Sequence, residues 1–77
     1  MNSTEDLANA MIDATLEGGP TDLPESLRVQ RTTATNSKIK VRHGSAYEHF
    51  EQTGESKPGH EGMLHVYRWT MRTRVAE

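Results

Sequence analysis

A chain of 77 residues with 32 % hydrophobic residues and a single tryptophan makes one domain with a thin core, because at this size folding buries only about 60–65 % of the surface that the extended chain exposes. So small a fold needs a supplement, and with no cysteine present disulfides and thiolate zinc sites are excluded, which leaves histidine metal sites or self-association. The net charge of −2 conceals blocks of opposite sign: −6 over residues 1–26, +5 over 27–42, −3 over 43–62 and +2 over 63–77, a pattern in which acidic and basic segments meet within the fold or across a dimer.

The opening "MNSTEDLANAMIDATLEGG" places acids where a signal peptide begins with basic residues. No window approaches the roughly 20 apolar residues that cross a bilayer, and a chain without cysteine fits a reducing compartment. The expectation is a soluble cytoplasmic protein.

Residues 1–10 are polar and read as a flexible segment, with Ser3 or Thr4 available to cap a weak helical turn over Glu5 and Asp6. Residues 11–77 read as a single small β-rich domain. From Met11 the period becomes two: Ile12, Ala14 and Leu16 alternate with Asp13, Thr15 and Glu17, as in a strand with one buried face. "GGPTDLP" ends it with turn chemistry. In "LRVQRTT" Leu27 and Val29 share a face, and in "KIKVRH" Ile39 and Val41 oppose Lys38, Lys40 and Arg42; the two runs are expected to pair as an antiparallel hairpin across "TATNS".

"GSAYEHFEQTGE" reads two ways. Ser45 and Glu48 suit a capping box with Gly54 as the residue after a helix; with period two, Tyr47, His49 and Glu51 face away from Phe50. The β-rich surroundings favour the strand, paired with its C-terminal neighbour across "SKPGHEG". In the last and longest strand, Tyr67, Trp69, Met71 and Val75 fall on one face and Arg68, Thr70, Arg72 and Arg74 on the other.

The expected fold is therefore mainly β, or α+β: a small antiparallel sheet of four to five strands with at most one short helix. Its apolar face needs a cover, so the sheet either curls or packs against a second copy. Phe50, Tyr67, Trp69 and Met71 are the expected core or dimer interface. The opposite face gathers Arg28, Lys38, Lys40, Arg42, Arg68, Arg72 and Arg74, with Asp13 and Glu17 partly neutralising it.

"LEGGP" at 16–20, "DLP" at 22–24, "YEHFEQTGE" at 47–55 and "VYRWTMRTRVAE" at 66–77 together resemble a family of small actinomycete proteins catalogued only as a domain of unknown function. Its members recur near genes for specialised-metabolite biosynthesis. The resemblance runs from Leu16 onward; the first ten or so residues and the loop at 56–62 lie outside it. It implies relatives and a genomic setting rather than a reaction. The tryptophan motifs of the MbtH-like accessory proteins of nonribosomal peptide synthetases are absent.

His43, His49, His60 and His65 form no recognised ligand spacing, so no metal or other cofactor is expected. Glu48 and Glu51, with His49 as a base, could suggest hydrolysis, but so short a chain has little interior in which to shift a pKa, and no catalytic residue is assigned. A nucleic-acid platform is disfavoured because period two separates Tyr67 and Trp69 from the arginines, and because the pI is near 6.1 rather than basic. The expected function is a small non-enzymatic accessory or regulatory protein of specialised-metabolite biosynthesis. It would act as a homodimer by binding a biosynthetic enzyme, a carrier protein or a ligand, with no role at a membrane. Tyr47, His49, Glu51, Arg68, Arg72 and Arg74 are the candidate ligand or partner contacts. The alternatives are a small enzyme whose pocket forms at a dimer interface and a nucleic-acid-binding module.

Overall fold

The computed structural model describes residues 10–74. The first nine residues of the expected flexible segment, the Ser3 or Thr4 cap and Val75 lie outside the described residues. Five strands and one helical turn follow one another: β1 (Met11–Glu17), α1 (Glu25–Arg28), β2 (Val29–Thr33), β3 (Lys38–His43), β4 (Ala46–Pro58) and β5 (Met63–Arg74). They form one sheet in the order β2-β1-β5-β4-β3, so the mainly β expectation with one short helix holds. No helix among the described residues is long and apolar enough to cross a membrane.

Two details of the expected sheet change. It is mixed rather than antiparallel, because β1 runs parallel to the central β5, Ala14 opposite His65 and Leu16 opposite Tyr67. The expected hairpin between "LRVQRTT" and "KIKVRH" does not form: β2 pairs with β1 and β3 with β4, which puts the two runs at opposite edges. Adjacency in sequence is the only ground for pairing them, and β2 does not bury the face expected of it: Val29 is exposed, whereas Thr32, opposite Ile12, is buried. The helix reading of "GSAYEHFEQTGE" also fails. Gly44, at φ +64°, and Ser45 form the two-residue turn of the β3–β4 hairpin, where a glycine at the first central position supplies the positive φ.

Residues 34–37 join those two edges. Five extended residue steps from Thr33 to Lys38 reach at most about 17–18 Å, whereas the outer strands of a flat five-stranded sheet stand about 19 Å apart. The link is not even fully extended, since Asn36 N–H donates to the Thr33 carbonyl at 3.0 Å. The sheet must therefore curl, as one of the two sequence expectations had it. The link is stitched across the end of the curl by Ser37, whose carbonyl accepts from Gln52 N–H at 2.8 Å, and by the Tyr67 hydroxyl, which donates to the Asn36 carbonyl.

Curling encloses Ala14, Leu16, Leu23, Val41, Phe50 and Tyr67, with Leu27, Ile39 and Trp69 at the border of this cluster. Leu23 comes from the loop between β1 and α1, which folds over the concave face; its burial contributes on the order of 1.5–3 kcal/mol. Arg28 braces that loop, its Nη1 donating to the carbonyls of Leu16 at 2.9 Å and Gly18 at 3.0 Å and its Nη2 to that of Pro20 at 2.6 Å. Arg28 thus leaves the basic row expected for the outer face and becomes a loop clamp. The charge blocks do meet within the chain, in Arg31–Asp13, Arg68–Glu17 and Arg72–Glu48, and Lys57, the one lysine of the third block, also pairs with Glu17.

Candidate functional site

One irregularity in the β4–β5 pairing creates the site. His49 is opposite Met71 but Phe50 is opposite Trp69, so Thr70 is an extra residue, a bulge that resets the alternation of β5. Before it, Tyr67 and Trp69 face the concave side. After it, that side receives Arg72, opposite Glu48, and by register Arg74, opposite Ala46, while Met71 turns outward.

This overturns the separation of aromatic and basic side chains that strict period two implied. Met71 is 51 % exposed on the convex face and is not part of the core, because the bulge shifts it by one place. Trp69 and Arg72 become neighbours. Phe50 and Tyr67 are fully buried, and Trp69 is partly so.

Glu48 joins the pair. Its side chain is 0 % exposed, one oxygen accepting from Trp69 Nε1 at 2.8 Å and the other from Arg72 Nε at 2.8 Å. A buried carboxyl is tolerable only when its oxygens are satisfied, and both are. His43 Nδ1 lies 4.0 Å from the second oxygen, and its Nε2 lies 3.8 Å from Asp22 Oδ1 on the bracing loop. Above the indole the chain passes as Gly18-Gly19, at φ +85° and +78°. A Cβ on Gly19 would lie 2.6 Å from Trp69 Cδ1, so only glycine lets the loop close onto the ring.

Gly19, Pro20, Trp69 and Arg72 line an open hollow of about 460 Å3. Its walls are indole, pyrrolidine and backbone, and the one charge among these described residues is a guanidinium whose Nε is already held. Among the described residues Arg72 Nη1 and Nη2 make no bond, and the side chain is 53 % exposed.

The other sequence candidates lie elsewhere. Tyr47, His49 and Glu51 sit on the convex face of β4, opposite Arg42, Lys40 and Lys38. Lys40 Nζ stands 4.6 Å and Arg42 Cζ 5.7 Å from the Tyr47 ring centre, so this aromatic does share a face with cations, contrary to the argument used against nucleic acid. Lys40 already occupies the ring, however, which leaves less of it for a base to stack on. His49 Nε2 pairs with Thr73 Oγ1 at 2.8 Å beside a hollow of about 140 Å3 that Lys40, Glu51 and Met71 help to line. Glu48 and Glu51, read together as a carboxylate pair, occupy opposite faces. Arg68 is convex too, between Glu17 at 4.0 Å and Glu55 at 3.8 Å. Of the six candidate contacts, only Arg72 lines the larger hollow. No group of three or more His, Asp or Glu among the described residues is placed to hold a metal ion.

Residues 8–77 match the model of DUF5988, a family of unknown function. The chain belongs to this family. Because the match spans both "LEGGP" and "YRWTMR", the loop, the bulged strand and Glu48 of this DUF5988 chain all lie within the family's extent. No curated protein and no solved structure matches it, so DUF5988 supplies kinship without an activity.

Proposed function

We propose that this chain is a small non-enzymatic accessory or regulatory protein of specialised-metabolite biosynthesis in actinomycetes. In this reading it works in the cytoplasm as a homodimer and binds a pathway enzyme, carrier protein or ligand through the Trp69–Arg72 hollow. The observation that carries the binding role is the state of Glu48. Its two oxygens are consumed by Trp69 and Arg72, so this carboxyl is spent on holding the other two groups in place. What faces the hollow is an indole, which does not titrate, and a guanidinium, which does not release its proton. Such groups recognise shape and charge but move no proton, whereas acid–base catalysis requires one that does. The biosynthetic setting is supported by the family resemblance carried on "YEHF", "YRWT" and "RTRVAE", and the dimer by the small core of so short a chain.

The test is a pull-down of the tagged protein from its host alongside Arg72→Glu. The reading expects one biosynthetic enzyme or carrier protein to be captured by the unaltered protein and lost with the variant. Recovery of the bait alone in both, together with no small molecule co-purifying, overturns it.

A further inference from the structure

We infer that the hollow is a subsite for a carboxylate borne on a flat apolar ring, with the Nη1 and Nη2 edge of Arg72 as the fork and the Trp69 indole and Pro20 ring as the wall. This deepens the binding reading above and rests on it. The inference starts from the orientation of Arg72. A free surface arginine samples many rotamers and loses that freedom on binding, but here the 2.8 Å bond from Nε to the buried Glu48 fixes the guanidinium before any ligand arrives. With Nε engaged, the remaining edge presents two parallel N–H donors, which match the two oxygens of a carboxylate.

Of the residues that line the hollow, Arg72 alone is charged. Glu48 offsets part of the Arg72 charge but is fully buried, so an incoming anion meets the guanidinium and not the acid. The second requirement is an apolar body. Trp69 turns its N–H inward to Glu48, so the part of the indole at the hollow carries no unsatisfied donor, and Pro20 adds a second ring without a donor. An acid as small as acetate would leave these rings bare, and an uncharged aromatic would leave the fork bare; only a ring acid uses both. The volume, about 460 Å3, lies within the range of small-molecule sites. The Gly18-Gly19 backbone, clamped by Arg28 through three carbonyls, keeps the wall in place. Two sources supply this chemistry: a free aromatic acid, or the C-terminal aromatic residue of a peptide.

Trp69 is the only tryptophan in the chain, so its indole N–H gives one cross-peak in a nitrogen-edited spectrum of the labelled full chain, and that peak reports on this site alone. Benzoate, benzyl alcohol and acetate are titrated in turn. The inference expects a saturable shift with benzoate, with benzyl alcohol and acetate each at least about tenfold weaker, the discrimination that a charge-assisted hydrogen-bonded pair provides. Arg72→Gln should reduce benzoate to the level of benzyl alcohol, and Arg72→Lys, which keeps the charge but not the fork, should fall between. If the glutamine variant does not fold, the benzoate to benzyl alcohol ratio on the unaltered protein decides alone. N-acetylphenylalanine and its amide separate the sources: tighter binding of the acid than of benzoate assigns a peptide terminus, and the reverse assigns a free acid. Benzyl alcohol equal to benzoate, benzoate binding unchanged in Arg72→Gln, or no saturable shift with any acid overturns the inference. A captured partner lost with Arg72→Glu while benzoate leaves Trp69 unmoved would sink the carboxylate assignment and leave the binding role standing.

Discussion

Arg72 reaches Glu48 across the β4–β5 pair by a 2.8 Å bond from Nε, tying a half-exposed cation to an acid with no exposed surface. Removing the acid leaves both the Trp69 N–H and the guanidinium without their acceptor. Glu48→Ala is therefore expected to cost about 2–4 kcal/mol, the range for an orphaned buried donor plus a broken pair whose other member can return to water. Glu48→Gln keeps an acceptor for Trp69 but sets an amide donor against Arg72 Nε, and should cost less. Urea midpoints by circular dichroism check the order; equal stability of all three proteins would refute the role given to Glu48.

Gly19 is expected to be the least replaceable residue of the loop. Gly19→Ala combines a positive φ with a Cβ 2.6 Å from the indole, which predicts a loss of about 2–4 kcal/mol and a red shift of Trp69 emission as the ring is uncovered. Gly44→Ala is the control. It also has a positive φ but meets nothing within 4 Å, so only the backbone cost of about 1–2 kcal/mol should appear.

Burial pushes the Tyr67 hydroxyl above the ordinary tyrosine value. The folded state then holds the proton more tightly than the unfolded one, so the contribution of this group is complete below the ordinary value, near 10, and is lost as pH rises through the raised value. The unaltered protein should thus lose stability in strongly alkaline solution, above the ordinary tyrosine value, to a degree that Tyr67→Phe does not. At neutral pH the phenylalanine variant should be about 1–2 kcal/mol weaker, because the Asn36 carbonyl loses its donor. Denaturation series at neutral and alkaline pH on both proteins test the crossing.

The sign reverses for Glu17. Its hydrogen bond from Lys57, with further help from the charges of Lys57 and Arg68, outweighs desolvation and holds the carboxyl below its ordinary value. Its contribution is present above the ordinary carboxylate value and is lost as pH falls through the lowered one. With Glu17 partly and Lys57 half exposed, Lys57→Met should cost less than about 1 kcal/mol at neutral pH. The difference should vanish in strong acid and shrink in high salt, which thermal melts across pH and ionic strength would show.

Alternation made the strands legible. Ile12, Ala14 and Leu16, then Ile39 and Val41, then Tyr67 and Trp69 carry the period that a half-buried strand requires, and each run is a strand. Pairing was less legible, because periodicity says which face a strand buries and nothing of which neighbour it meets; "LRVQRTT" and "KIKVRH" were joined on proximity alone. Glu48 could have been found. If Tyr47, His49 and Glu51 face away from Phe50, then Glu48 faces with it, and an acid on a core-facing position demands a donor. The Thr70 bulge left no such mark, since "WTMR" contains no glycine and no break in β propensity, and without the bulge Trp69 and Arg72 could not be placed side by side.

The four-residue link between β2 and β3 has a bearing on association as well as on shape. Edge strands of an open sheet invite another chain to extend the ladder, but here the free edges belong to strands that the link holds toward each other, on a surface too strongly curved to continue as a flat ladder. The β3 edge also carries Lys38, Lys40 and Arg42, which would repel the same edge of a second copy. Strand addition, the route that leads to fibres, is thereby disfavoured, and the proposed homodimer would instead form by contact between surfaces, which can close on itself and stop at two.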